Sequence, residues 1–183
     1  MNVISQLLTP ARYLRIRAET SEKLIVDFVF PALLAAGTTA CWLWRPDLLS
    51  MNGSTGLLAG IAGLMQILVG FYVATLAAIA TFPASSLDEP TNRITLDGKP
   101  LKRRRFLAYL FGYLALLSIA LVICLLFKPV AIGALQQLPG GGASAGAKLV
   151  LVFGYQFIFW QMVLVTLLGL YYLTDRIHRS NHE

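Results

Sequence analysis

Charge is what this sequence has least of. Of its 183 residues, 13% are Asp, Glu, Lys or Arg and 57% are apolar, whereas a soluble domain averages about 25% charged. Too few charges remain to coat a water-facing surface, which disfavours ordinary soluble enzymes, disordered tails and secreted disulfide scaffolds. Cysteine is scarcer still. Cys41 and Cys124 lie in separate apolar stretches, where Cys usually acts as a small buried hydrophobe; a bridge between them is geometrically conceivable but nothing requires it. The two histidines, His178 and His182, sit in a short polar tail, and no His-Glu-x-x-His, Cys-x-x-Cys or Gly-x-Ser-x-Gly pattern occurs. The expectation is a protein that is not an enzyme, and no residue is nominated for catalysis, a metal or a cofactor.

Apolar residues, by contrast, come in blocks. A helix crossing about 30 Å of hydrocarbon needs roughly 20 mostly apolar residues, and 24–44, 56–82, 106–127 and 149–173 qualify. The expected fold is an all-α integral membrane protein. It has an amphipathic interfacial helix within 1–23, a four-helix transmembrane domain over 24–173 with a loop at 83–105, and a 174–183 tail. No intervening piece is long enough to hold a soluble core. Twelve of the 15 Lys and Arg residues fall in 1–23, 83–105 and the tail, leaving Arg45, Lys128 and Lys148 for the other loops. The positive-inside rule then puts both termini and the 83–105 loop in the cytoplasm, with a bacterial inner membrane as the expected location. The net charge of +6 reads as topogenic, so direct nucleic-acid binding is not expected. The first span lacks a cleavage pattern and contains Asp27, which reads as a retained signal anchor.

Val3, Ile4, Leu7, Leu8, Ala11 and Leu14 keep one helical face of the N-terminal segment apolar, and Thr9-Pro10 opens a helix carrying Arg12, Arg15 and Arg17. Such a helix lies in the headgroup layer, where each cation near anionic lipid is worth about 1 kcal/mol; the alternative is a docking arm for a cytoplasmic partner. Asp27 stands one turn inside the first span, where it reaches water, pairs with Lys23 or a basic loop residue, or else belongs to a cation-attracting ring at a pore mouth. Trp42 and Trp44 at the span's exit read as interfacial anchors.

The second span carries a pattern of small residues. Gly56, Gly63, Gly70 and Ala77 recur every seven residues, with Gly60, Ala74 and Thr81 beside them. Lipid offers no hydrophobic force to pull helices together, so close backbone approach and interhelical hydrogen bonds supply association. The stripe therefore marks a tight seam, either within the chain or between copies of it. Gln66 on its flank must bond across that seam or face water. The third span has small residues at Ala108, Gly112 and Ala115 but is otherwise uniformly apolar, and reads as a lipid-facing or scaffold helix. In the fourth, Gly154, Gln161 and Leu168 share a heptad line beside Gly169, which turns Gln161 toward the bundle interior. Gln66 and Gln161 either line a narrow wet path or glue helices together.

In the 83–105 loop, Pro83, Pro90 and Pro100 prevent a continuous helix and Asp97-Gly98 is a turn signal. Lys102, Arg103, Arg104 and Arg105 stop the third span and suit anionic lipid. Leu87, Ile94, Leu96 and Leu101 are more apolar than a hinge needs, which points to an ordered cytoplasmic platform and the best surface for a partner. The 128–148 loop holds a run expected to be flexible, Pro139 to Gly146. Its Gly141-x4-Gly146 is not a phosphate loop, since Lys148 comes one residue late. Asn52-Gly53-Ser54 matches a glycosylation sequon, of consequence only in a eukaryotic secretory pathway.

Two functions of different class follow. One is an oligomeric membrane protein that anchors or senses for a soluble cytoplasmic partner through 1–23 and 83–105. The other is a homo-oligomeric ion-conducting pore or membrane-perturbing effector, assembled through the stripe and moistened by Gln66 and Gln161. In span count and size, over the whole chain, the sequence resembles the small four-span subunits of two-component bacterial phage-defence systems such as Kiwa. The resemblance carries over no motif and no residue. It implies self-assembly, a soluble cytoplasmic partner and a role as a sensor or effector in a phage-defence or stress system.

Overall fold

A computed structural model of the chain describes residues 6, 9–18, 22–45, 57–81, 90–96, 99–136 and 141–179. The expectations placed on Val3, Ile4, Leu7, Leu8, the Asn52 sequon, Gly56, Leu87, the Asp97-Gly98 turn and Pro139 concern residues outside that set. Four helices are long and apolar enough to cross a membrane, over Ile25–Trp44, Gly60–Thr81, Arg103–Leu126 and Ala145–Leu173. The protein is accordingly a multi-pass, predominantly helical membrane protein.

The first span is α1, Phe30–Trp44, preceded without a break by a helical turn, Glu22–Leu24, and a wider π-helical turn, Ile25–Val29. The others are α2, Leu57–Thr81; α3, Arg103–Leu126; and α5, Gly141–Arg179, with a short helix α4, Lys128–Gln136, between the last two. Helix α2 lies against α3, α3 against α5, and α5 against α1. Two expectations change here. The loop after the third span contains α4, opened by Pro129 in its first turn, where the missing N–H costs nothing. The glycine-rich run expected to be flexible is helical from Gly141. Extending an existing helix adds one hydrogen bond per residue fixed, which offsets a glycine penalty of about 1 kcal/mol each.

The third span is the centre of the bundle, contrary to the lipid-facing reading. In α3, 44% of the apolar window is buried, against 17% in α2. Leu107, Leu110, Phe111, Leu114, Leu117 and Leu121 are buried. A helix that is apolar all round suits either lipid or a core, and only its neighbours decide which. The expected scaffold role is the one its position serves.

At one end of the predominantly helical chain stands a small sheet. Three antiparallel strands form a sheet in the order β1-β2-β3: β1 is Arg17–Ala18, β2 is Pro90–Leu96 and β3 is Lys99–Lys102. Arg17 pairs with Thr95 and Ala18 with Ile94, while Thr91 faces Leu101 and Leu96 faces Lys99, with an irregularity between Thr91 and Thr95. Over 9–18 the N-terminal segment is a short 3-10 helix, Thr9–Arg15, followed by a strand; most of the helix expected within 1–23 lies outside the described residues. The physical reason is local. Tyr13 and Ile16 are buried, and the 3-10 helix packs on α3, so this segment is drawn onto the bundle. Strand β3 runs straight into α3, with Lys102 in extended geometry at the join.

Candidate functional site

Pro31 organises the most polar place in the bundle. A proline has no N–H, so in a helix it leaves the carbonyl four residues earlier without its partner. That carbonyl belongs to Asp27. The backbone here widens, Phe30 N–H reaching back five residues to Ile25 O, and the amide of Gln161, from α5, donates to the freed Asp27 oxygen at 2.9 Å. The other end of the same amide accepts from the Tyr113 hydroxyl of α3 at 3.1 Å. Gln161 thus joins three elements, and it is buried.

The Asp27 side chain is fully buried. It pairs with the Lys23 ammonium one turn earlier and accepts from the Tyr13 hydroxyl at 3.1 Å. A carboxylate removed from water is tolerable only with such partners. Tyr13 stacks on Tyr113 with ring centroids 5.1 Å apart and planes 21° from parallel, and the Lys23 ammonium sits 4.3 Å above the Tyr13 ring, a cation–π contact. Burial, with the Asp27 carboxylate second, pushes the Tyr13 phenol well above its ordinary range. Tyr13 therefore stays protonated and donates. Of the alternatives for Asp27, the structure shows the pairing with Lys23. Tyr13 is absent from the residues singled out in the sequence; the available signal was Asp27 at i,i+4 from both Lys23 and Pro31, which marks a buried acceptor in need of further donors.

Further along α1, buried Pro31, Ala35 and Thr39 continue the strip begun by Asp27 at four-residue intervals. Helix α1 packs against α5. The Trp160 indole donates to the Thr38 hydroxyl at 3.4 Å. Thr39 Oγ1 and Gln156 Nε2 are buried without a hydrogen-bond partner among the described residues. On α3 and α5, Ser118 donates to Leu114 O at 2.9 Å and approaches Met162 Sδ at 3.2 Å. Tyr72 and Thr166 hydroxyls lie 2.6 Å apart, with Thr166 donating to Met162 O.

The glycine stripe lies elsewhere. Over 60–81, the buried residues of α2 are Ile61, Met65, Tyr72 and Ile79; Gly60, Gly63, Gly70, Ala74 and Ala77 are exposed. A Cβ added at Gly60, Gly63 or Gly70 would meet nothing within 4 Å. Gln66 is exposed as well and Gln161 is buried, so the two amides, read as lining a wet path or gluing helices, stand in different surroundings. A small residue that does make a close approach is Gly169, where a Cβ would come 2.9 Å from Leu110 Cδ2 and 3.4 Å from Phe111 Cζ.

The basic residues gather at the sheet end. Arg12, Arg15, Lys102 and Arg105 are exposed, while Arg103 and Arg104 are half-buried. Arg17 is placed by the pairing of β1. The Arg104 guanidinium donates to Ile79 O near the end of α2 at 3.4 Å, a cation at the negative end of a helix dipole, so this residue has a structural task as well. Cys41 and Cys124 are free and exposed. Among the described residues no group of three or more His, Cys, Asp or Glu side chains comes together. Compared with known protein families, with characterised proteins and with solved structures, the chain has no match.

Proposed function

We propose that this protein is an oligomeric anchor of the bacterial inner membrane, with both termini in the cytoplasm, that presents a basic surface to a soluble acidic protein. The observation that carries the reading is the sheet. Residues more than 70 positions apart, one from 1–23 and one from 83–105, pair as Arg17↔Thr95 and Ala18↔Ile94, which supports reading the two segments as one ordered surface outside the membrane. Its exposed cations, Arg12, Arg15, Lys102 and Arg105, favour an acidic partner and steer its approach; anionic lipid headgroups meet the same charges. Copies of the chain associate through the outward stripe of α2. Gly60, Gly63 and Gly70 there permit close backbone approach, and Gln66 in one copy gives the amide of another a hydrogen-bond partner that lipid lacks. This assembly makes the protein a platform for a sensor or effector system, with ion conduction between protomers as the alternative.

Replacing Arg12, Arg15, Lys102 and Arg105 together by Glu, with orientation checked by protease protection, tests the reading. Proteins retained by the wild-type chain on affinity purification from its own host should be lost. Retention of the same acidic protein by the charge-reversed chain would refute the proposal. Dye or ion leakage from liposomes carrying the purified oligomer would favour conduction instead.

A further inference from the structure

The 3-10 segment is held differently from the spanning helices. Arg12, Leu14 and Arg15 are exposed; Tyr13 within it and Ile16 just after it are buried. Pro10 rests on Gly112 of α3, where an added Cβ would stand 3.4 Å from Pro10 Cβ. Within Thr9–Arg15 the fully buried side chain is Tyr13. Tyr13 stacks on Tyr113, donates to Asp27 and carries the Lys23 ammonium over its ring. Behind Tyr13 lies the junction where Gln161 bridges Asp27 and Tyr113, a polar and charged group inside an apolar bundle. Immediately after the segment the chain enters β1, which ties it to the sheet.

A seven-residue unit with one fully buried side chain opens with less free energy than the core it rests on. Opening here breaks the hydrogen bond to a buried carboxylate, the aromatic stack, the cation–π contact and the Pro10–Gly112 contact, and leaves the α3–α5 packing in place. We propose that Thr9–Arg15 is a releasable strap: closed, its Tyr13 seals the Asp27–Gln161–Tyr113 junction from the sheet end; open, it admits solvent to that junction while the four-helix bundle stays folded. Because β1 continues the strap, anything that pulls on the sheet acts on the seal. The inference goes beyond the partner reading and needs no partner to be tested.

The test uses the full chain in detergent micelles, with Cys41→Ala and Cys124→Ala as background. A thiol introduced by Ile16→Cys reports strap opening through its rate of reaction with a maleimide, and one introduced by Leu114→Cys reports opening of the bundle core. Position 16 should react at least about ten-fold faster than position 114. Tyr13→Phe, which keeps the ring and removes the donor to a charged acceptor, should speed position 16 by on the order of ten-fold and leave position 114 unchanged. A lock is available, since Pro10→Cys with Gly112→Cys brings two Cβ atoms to disulfide range. In the otherwise wild-type background, hydrogen exchange at the Ile25–Val29 amides should slow when that bridge is oxidised and recover on reduction. Equal rates at positions 16 and 114 would show that no separate opening exists. Exchange at Ile25–Val29 that ignores the lock would show that the segment does not gate the junction. Either result overturns the proposal.

Discussion

Three glycines and two glutamines set an inner seam of this molecule against an exposed helix face. Gly169 sits where α5 meets α3, with Leu110 so close that a Cβ would collide; Gly63 and Gly70 sit on the far side of α2, where a Cβ meets nothing within 4 Å. Gln161 is buried, its amide bonded at both ends; Gln66 is exposed on the side of α2 that the chain leaves bare. The difference teaches that a small or polar residue in a span announces a close contact without naming the partner. The inner seam is completed by this chain. The glycine face of α2 is left uncovered by it.

The sharpest way to break the inner seam is Asp27→Ala. It removes the acceptor of both Tyr13 and Lys23 and should cost about 3 kcal/mol, at the lower end for a buried pair that loses one member, because the Lys23 side chain is already 14% exposed and can turn to solvent. Thermal unfolding in detergent checks this, and a loss below about 1 kcal/mol would mean that the pair contributes little. Next comes the glycine contrast. Gly169→Leu should lower protomer stability by about 2 kcal/mol through overpacking, whereas Gly63→Leu with Gly70→Leu should leave protomer stability within about 0.5 kcal/mol and abolish the oligomer on native gels. An oligomer of unchanged size after the double substitution would remove α2 as the assembly face.

The glutamine contrast is finer. Gln161→Leu should cost about 1 kcal/mol, since hydrogen bonds between membrane helices average roughly 0.6 kcal/mol each, and Gln66→Leu should weaken self-association with no effect on protomer melting. Identical responses at both positions would erase the distinction between the seam and the exposed face. The smallest expected change is at Ser118→Ala, below about 0.5 kcal/mol. Its hydroxyl bonds mainly to its own helix at Leu114 O, and the carbonyl keeps its backbone partner. A larger loss would mean that the 3.2 Å approach to Met162 Sδ matters more than its chemistry suggests.

Much of this was legible in the residues, and the rest had identifiable reasons for being hidden. The spans follow from the length of uninterrupted apolar runs, because a helix satisfies its own backbone and needs only an apolar surface. The stripe on α2 was visible because its seven-residue period survives in one dimension. The inward turn of Gln161 followed from its heptad line with Gly154 and Leu168. The central place of α3 was hidden, since uniform apolarity fits lipid and core alike. The pairing of 17–18 with 94–95 was hidden because β1 is two residues long and its partner lies far along the chain. Tyr13, between Arg12 and Leu14, resembles an ordinary residue of an interfacial helix until Asp27 is seen beside it.

By itself the sequence determined that the chain spans a membrane with four helices, where along its length they fall, and that basic residues concentrate at one end. Those are local properties, set by hydropathy, helix length and charge count. The tertiary structure alone decided which faces meet. It put α3 at the centre, turned the glycine stripe outward, joined the N-terminal segment to the central loop, and closed Tyr13, Lys23 and Gln161 around Asp27. In a uniformly apolar surrounding, hydropathy cannot rank one helix face above another. Shape fit and the need of each buried polar atom for a partner do the ranking, and both depend on residues distant in sequence.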